Sequence, residues 1–161
     1  MTTMHIDGQC HCGQITFEAE VDPETVSVCH CTDCQTLTGS PFRVTAVCSG
    51  ADVRLTGGTP RIYGKRGDNG RMRFQHFCAD CGSPLFTSGE GDQADDWGIR
   101  WGSIRQRDKL RPVRQIWCQS AAVWIDAVPL LPAGRGIEAE EVQFRACPFG
   151  AGRDKEAARG G

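Results

Sequence analysis

Apolar and polar residues along this chain alternate in short runs with a period of two. Ile15-Thr16-Phe17-Glu18-Ala19 and Arg71-Met72-Arg73-Phe74-Gln75 place apolar side chains at every second position, as a strand does when one face packs on a core and the other meets water. Phe42-Arg43-Val44-Thr45-Ala46-Val47, Pro84 to Ser88, Trp97 to Trp101 and Val113 to Trp117 are equally short and rich in β-branched or aromatic residues. Turn chemistry separates these runs at Gly57-Gly58, Gly67-Asp68-Asn69-Gly70 and Gly89-Glu90-Gly91-Asp92. One segment reads as helix: Thr32 to Thr38 makes two turns, with Thr32 or Asp33 near its start and Gly39 as its stop. The pattern predicts a mainly β protein without internal repeats.

Length and charge narrow the class. The 161 residues suit one domain with a substantial core, expected over 1–149. From about Gly150 the chain turns to Gly, Ala, Arg, Lys and Glu without apolar pattern, so 150–161 is expected to be a disordered tail. No apolar run approaches the ~18 residues of a membrane span. Met1 to Asp7 has neither a basic nor an apolar leader segment, which makes the cytoplasm the expected location and disulfides unexpected. A formal net charge of −2 argues against nucleic-acid binding. The local exception is Arg61, Lys65, Arg66, Arg71 and Arg73, set against Asp68 alone and followed by Glu90, Asp92, Asp95 and Asp96. These read as two solvated loops of opposite sign, or as an anion-attracting rim beside a site.

Cysteine placement changes the picture. Seven of the ten cysteines fall in three clusters: Cys10-x-Cys12, Cys29-x-Cys31-x-x-Cys34 and Cys78-x-x-Cys81. In an extended segment residues i and i+2 share a face, so Cys10 and Cys12 can aim both sulfurs at one ion. Cys78-Ala79-Asp80-Cys81-Gly82 has the form of a zinc knuckle, with a glycine where the turn needs positive φ. Together these four thiolates complete a tetrahedral structural shell; redox-active or free thiols are the other reading. A structural zinc is worth roughly 10–16 kcal/mol against a whole-domain stability of about 5–15 kcal/mol. Its loss is therefore expected to unfold the domain.

The middle cluster differs in kind, because Cys29, Cys31 and Cys34 have no fourth cysteine nearby in sequence. A zinc on three thiolates keeps one corner open, carries net charge −1 and can hold an incoming thiol as its thiolate. That chemistry suits addition of a thiol to an electrophilic carbon. The competing reading is a second structural zinc closed by some further residue. His30 is one candidate, although a strand would turn it to the face opposite Cys29 and Cys31. His11 and His76 read as surface or supporting residues, Cys48, Cys118 and Cys147 as packed or free thiols, and Trp97, Trp101, Trp117 and Trp124 as core.

The motifs Gly8-Gln9-Cys10-His11-Cys12-Gly13, Cys29-His30-Cys31-Thr32-Asp33-Cys34 with Gly39-Ser40-Pro41-Phe42, and Phe77-Cys78-Ala79-Asp80-Cys81-Gly82-Ser83-Pro84-Leu85 resemble the glutathione-dependent formaldehyde-activating enzymes, grouped with centromere protein V. The resemblance runs over roughly residues 5 to 130. It implies a β-tent of small antiparallel sheets stapled by zinc, with two zinc ions per chain. Cys10, Cys12, Cys78 and Cys81 would hold the structural ion; Cys29, Cys31 and Cys34 would hold the catalytic one. The implied activity is that of a carbon–sulfur lyase joining glutathione to formaldehyde, with the residues from Arg61 to Arg73 as candidate holders of the glutathione carboxylates. The alternative from another class is a non-catalytic, zinc-stapled protein-interaction module.

Overall fold

The computed structural model describes residues 3–91 and 95–131. Cys147, Asp92 and the predicted tail lie outside the described residues. The chain divides into a unit Met1–Ile125 and a second, Asp126–Gly161. Within the second, the described part belongs to a 3-10 segment, Ile125–Leu130. The first unit carries the strands β1 (Met4–Gln9), β2 (Thr16–Val21), β3 (Ser27–Cys29), β4 (Arg43–Ser49), β5 (Val53–Gly57), β6 (Arg61–Arg66), β7 (Met72–Phe77), β8 (Pro84–Ser88), β9 (Asp96–Arg100) and β10 (Arg114–Ile116), with the helix α1 at Thr32–Thr38.

These strands form two sheets, one of order β1-β2-β5 and one of order β10-β3-β4-β9-β8-β7-β6. The protein is mainly β, as the periodicity predicts. Most neighbours are antiparallel, but β10 lies parallel to β3, which the expectation of purely antiparallel sheets did not include. The stretch from Arg61 to Arg73 is also not a loop. It forms both arms of the β6–β7 hairpin, whose turn closes at Gly70 with φ of +78°.

Three strands escape the alternation rule for physical reasons. β5 and β6 lie at sheet edges and are largely exposed, so burial imposes no apolar periodicity on them. In β1 the register sets Ile6 opposite Ala19 and Gly8 opposite Phe17. Gly8 must lack a side chain, because a Cβ there would fall 2.3 Å from both the Phe17 ring and the Ser103 carbonyl oxygen. A glycine at an inward position hides the strand from a hydrophobicity scan.

The core fills the space between the sheets. Ile6, Phe17, Ala46, Leu85, Phe86, Ile99 and Ile104 are all fully or almost fully buried. Phe17 from the smaller sheet meets Phe86 from the larger one edge to face, with ring centroids 4.9 Å apart. Trp97 extends this stack, 5.5 Å from Phe86 and 5.0 Å from His76. His76 is thus a buried core residue, not a surface or supporting one, and its Nε2 lies 2.9 Å from the Ser88 hydroxyl. Trp97 and Trp101 pack on the core as expected. Trp117 and Trp124 do not; both are about half exposed, since they follow the last strand of the unit.

Because side chains alternate across a strand, the larger sheet has two different faces. Ala46, Ile99 and Phe86, aligned by register, line the core face. One residue along each strand, the opposite face carries Cys29 beside Arg43, Thr45 beside Arg100, and Gln75 beside Thr87. Gly98 lets that face close up, with the Thr45 and Thr87 methyls 2.7 and 2.9 Å from where a Cβ would stand.

Phe86→Ala is expected to cost about 3–5 kcal/mol, since it opens a cavity where the sheets meet. Gly8→Ala is expected to cost about 1–3 kcal/mol by overpacking against a backbone carbonyl that cannot step aside. Denaturant titration of metal-replete protein measures both.

Candidate metal centres and the cavity beside them

The outer cysteines sit in two hairpin turns of similar construction. In the β1–β2 turn the Cys10 N–H donates to the Ile15 carbonyl at 3.0 Å, and the Gly13 N–H donates to the Cys10 carbonyl at 3.1 Å. In the β7–β8 turn the Cys78 N–H donates to the Ser83 carbonyl at 3.0 Å, and the Gly82 N–H donates to the Cys78 carbonyl at 2.9 Å. Gly13 and Gly82 adopt φ of +79° and +73°, which a side chain would strain. The Ser83 hydroxyl ties the turns together: it accepts from the His11 N–H at 3.0 Å and lies 3.2 Å from Cys81 Sγ. That contact holds the Cys81 thiol down at about 5.

All four sulfurs lie within 4.8 Å of one another. Cys10 and Cys12 are 3.5 Å apart, and Cys12 and Cys78 are 3.7 Å apart. A zinc tetrahedron with Zn–S bonds of about 2.3 Å has S···S edges of roughly 3.8 Å. The separations fit that figure and are far too long for disulfide bonds of about 2.05 Å. The Ile15 N–H donates to Cys10 Sγ at 3.3 Å, the kind of support a thiolate ligand needs.

The middle cluster spans the junction of β3 and α1. Cys29 ends the strand. Cys31 is the residue that caps the helix, its sulfur accepting from the Cys34 N–H at 3.4 Å, and Gly39 ends the helix in the left-handed region at φ of +60°. The cap that periodicity sought at Thr32 or Asp33 is therefore a sulfur one residue earlier, and one geometry serves both helix start and ligand array. The three sulfurs lie within 4.8 Å of one another, and among the described residues no fourth Cys, His, Asp or Glu joins them. A hydrogen bond from Cys34 brings the Cys29 thiol down to about 5, and the same contact drives Cys34 upward.

His30 does not join the three sulfurs. It is buried on the other side of the strand, its Nε2 2.8 Å from the Gln115 side-chain oxygen, while its backbone N–H donates to the Ile116 carbonyl at 3.1 Å. Gln35 of α1 donates to the carbonyls of His30 and Ser120 at 2.7 and 2.8 Å, fixing the helix over the sheet. Cys48 and Cys118 are free thiols, as expected; burial pushes Cys48 up to about 12.

Two arginines complete the site. Arg43 and Arg100 are both at least nine-tenths buried on the same sheet face as Cys29. Arg43 Nη1 and Arg100 Nη2 both donate to the Gln75 side-chain oxygen, at 3.1 and 2.9 Å, and Arg100 Nη1 donates to the Thr45 hydroxyl at 2.9 Å. The Nε of each is buried without a hydrogen-bond partner. Burial, reinforced by the neighbouring Arg43, lowers Arg100 to about 9. Burial also lowers Arg43, opposed by the charges of Cys34, Cys31 and Cys29.

Both arginines line a cavity of about 1030 Å³, with Arg105, Arg107, His11 and Trp101 in its other walls. Among the described residues its walls carry no carboxylate. The basic residues from Arg61 to Arg73 do not line it; Lys65 instead pairs with Asp33 of α1. Sequence reasoning missed Arg43, Gln75 and Arg100. The available signal was a charged residue inside an apolar run, in Phe42-Arg43-Val44 and Ile99-Arg100-Trp101.

The sequence profile of the family described as glutathione-dependent formaldehyde-activating enzyme matches residues 5–120. The crystal structure of a Rhodobacter sphaeroides protein is similar with a TM-score of 0.53, covering 68% of this chain and 98% of that chain at 22% identity. That likeness supports the fold alone. No curated protein matches the chain in sequence.

Cys78→Ser is expected to abolish the folded state, and Cys29→Ser to keep the fold while losing about half of the bound metal. Circular dichroism with elemental analysis of the purified variants checks both. Equal collapse of the two proteins would make the middle cluster structural.

Proposed function

The chain belongs to the glutathione-dependent formaldehyde-activating enzyme family, and from that premise we propose that it is a zinc-dependent carbon–sulfur lyase adding a thiol such as glutathione to formaldehyde or another small electrophile. Two zinc ions per chain are proposed, a structural one on Cys10, Cys12, Cys78 and Cys81 and a catalytic one on Cys29, Cys31 and Cys34. The observation that carries the reading is the convergence of three sulfurs with no fourth ligand among the described residues. When bound there, zinc supplies a centre that favours the thiolate form of an incoming thiol.

The protein's own residues support this chemistry in three ways. Cys29, Cys31 and Cys34 would hold the ion through three sulfurs, which lie within 4.8 Å of one another, and a substrate thiol would be its fourth ligand. Arg43 and Arg100 place positive charge beside an array that would otherwise be net negative. The cavity lined by Arg43 and Arg100, whose walls do not include Cys29, Cys31 or Cys34, has the volume for a tripeptide-sized thiol reaching towards them past Arg43. In the forward direction the thiol sulfur bonds to the aldehyde carbon, the C=O π pair moves to oxygen, and the proton released by the thiol ends on that oxygen. The reverse reaction breaks the same C–S bond.

One observation favours the interaction-module reading: Trp117, Val123 and Trp124 are exposed and close in sequence. An interaction module should hold its metals inertly. The lyase should exchange its second metal readily in the presence of added thiol.

Zinc-loaded protein is expected to accelerate exchange between free glutathione and its hydroxymethyl thiohemiacetal, read as NMR magnetisation transfer at the methylene protons. Cys34→Ser should lower that exchange at least a hundredfold with the fold intact. Uncatalysed exchange in the fully metallated parent would remove the lyase reading.

A further inference from the structure

Burying a guanidinium normally requires a carboxylate or a full set of acceptors. Arg43 and Arg100 have neither. They share the neutral oxygen of Gln75, Arg100 also donates to the Thr45 hydroxyl and Arg43 to Cys34, and two Nε groups stay unpartnered. Neither makes an ion pair with an Asp or Glu among the described residues. Two guanidinium groups bring charge +2. A metal on three thiolates brings −1. One positive charge is therefore left without a counterpart in a buried location that opens onto a cavity.

The other arginines of the cavity differ. Arg105 is paired with Asp7 at 2.8 Å, and Arg107 lies over the Trp101 ring at 5.8 Å. Arg43 and Arg100 are thus the cavity arginines that are buried with neither a carboxylate nor a ring against them, and Arg73 adds positive charge near Arg100. The two adjoin the sulfur trio, since Arg43 pairs in register with Cys29 and interacts with all three thiols.

We propose that Arg43 and Arg100 form a carboxylate seat beside the sulfur trio, so that this enzyme acts on a substrate pair of which one member carries a carboxylate close to its reacting atom. This rests on the lyase reading for its substrates, but the seat is a property of the two arginines. A planar carboxylate matches the fork of a guanidinium, and the two guanidinium groups are brought together at the Gln75 oxygen, to which each donates one Nη. Two sources supply such a group. It is either the carboxylate of a 2-oxo acid, one bond from the carbonyl carbon that sulfur attacks, or the carboxylate of the thiol itself.

The test titrates oxamate, a non-reacting mimic of a 2-oxo acid, and separately glutathione, into zinc-loaded protein by calorimetry. The variants are Arg43→Met, Arg100→Met and Arg100→Lys, the last retaining charge without the fork. At least tenfold weaker oxamate binding in the Met variants, with no binding of neutral oxamide by the parent, supports the seat and places the carboxylate on the electrophile. At least tenfold weaker glutathione binding with unchanged binding of cysteamine, a thiol without a carboxylate, supports the seat and places the group on the thiol. A second readout needs no ligand: removing an uncompensated buried charge should hold or raise the melting temperature of the Met variants. Unchanged affinity for both carboxylates, or lower melting temperatures with equal loss of cysteamine binding, overturns the proposal. A parent that binds oxamate but exchanges no thiol adduct would retain the seat and lose the lyase reading.

Discussion

The constraint on which the structure depends is the meeting of four sulfurs between two sheets. Cys10 and Cys12 belong to the β1–β2 turn of the smaller sheet, and Cys78 and Cys81 to the β7–β8 turn of the larger one. Among the described residues no disulfide ties the sheets, because every cysteine there is free. The apolar contact between the sheets is genuine but modest, centred on Phe17, Phe86 and Trp97. A chain with 39% hydrophobic residues and twenty glycines has limited apolar area to bury. Metal coordination by the four sulfurs would add to that contact, and the Ser83 hydroxyl, bonded to one turn and lying against a sulfur of the other, joins the two turns.

With the sheets fixed, the two faces of the larger one take different tasks. Its core face is apolar and packed. Its other face carries Cys29, Arg43, Arg100, Gln75 and Thr87 under α1, a composition that cannot add to stability by burial. Charges held in such a place cost free energy unless matched. The sheet can carry them because its opposite side is apolar and packed.

How much of this the sequence discloses depends on the length scale of each signal. Cysteine spacing is local, so both sulfur clusters and the start of α1 were legible, as was the strand character of β2, β4, β7, β8 and β9. Edge strands such as β5 and β6 meet water on most sides, and no apolar period records them. β1 was hidden by Gly8, whose small size matters only once Ser103 and Phe17 are known to approach it. Arg43 and Arg100 are fifty-seven positions apart in the sequence and become a pair only through the β4–β9 register. The charge that sequence reading placed at Arg61 to Arg73 went instead to a hairpin, where Lys65 is used against Asp33.

The two sulfur clusters also differ in what a metal would ask of the chain. Joining Cys12 to Cys78 closes a loop of 66 residues, whereas the middle trio lies within six. By the logarithmic dependence of loop entropy, restraining the longer loop removes about 2 kcal/mol more freedom from the unfolded chain than restraining the shorter one. A metal at the outer site therefore organises tertiary structure and leaves little room for its ligands to move. A metal at the middle site restrains a strand end and one helical turn that Gln35 and the Gly39 cap already hold in place. Such a centre can vary its occupancy and its fourth ligand without threatening the fold, which is the property a site needs if a substrate is to come and go.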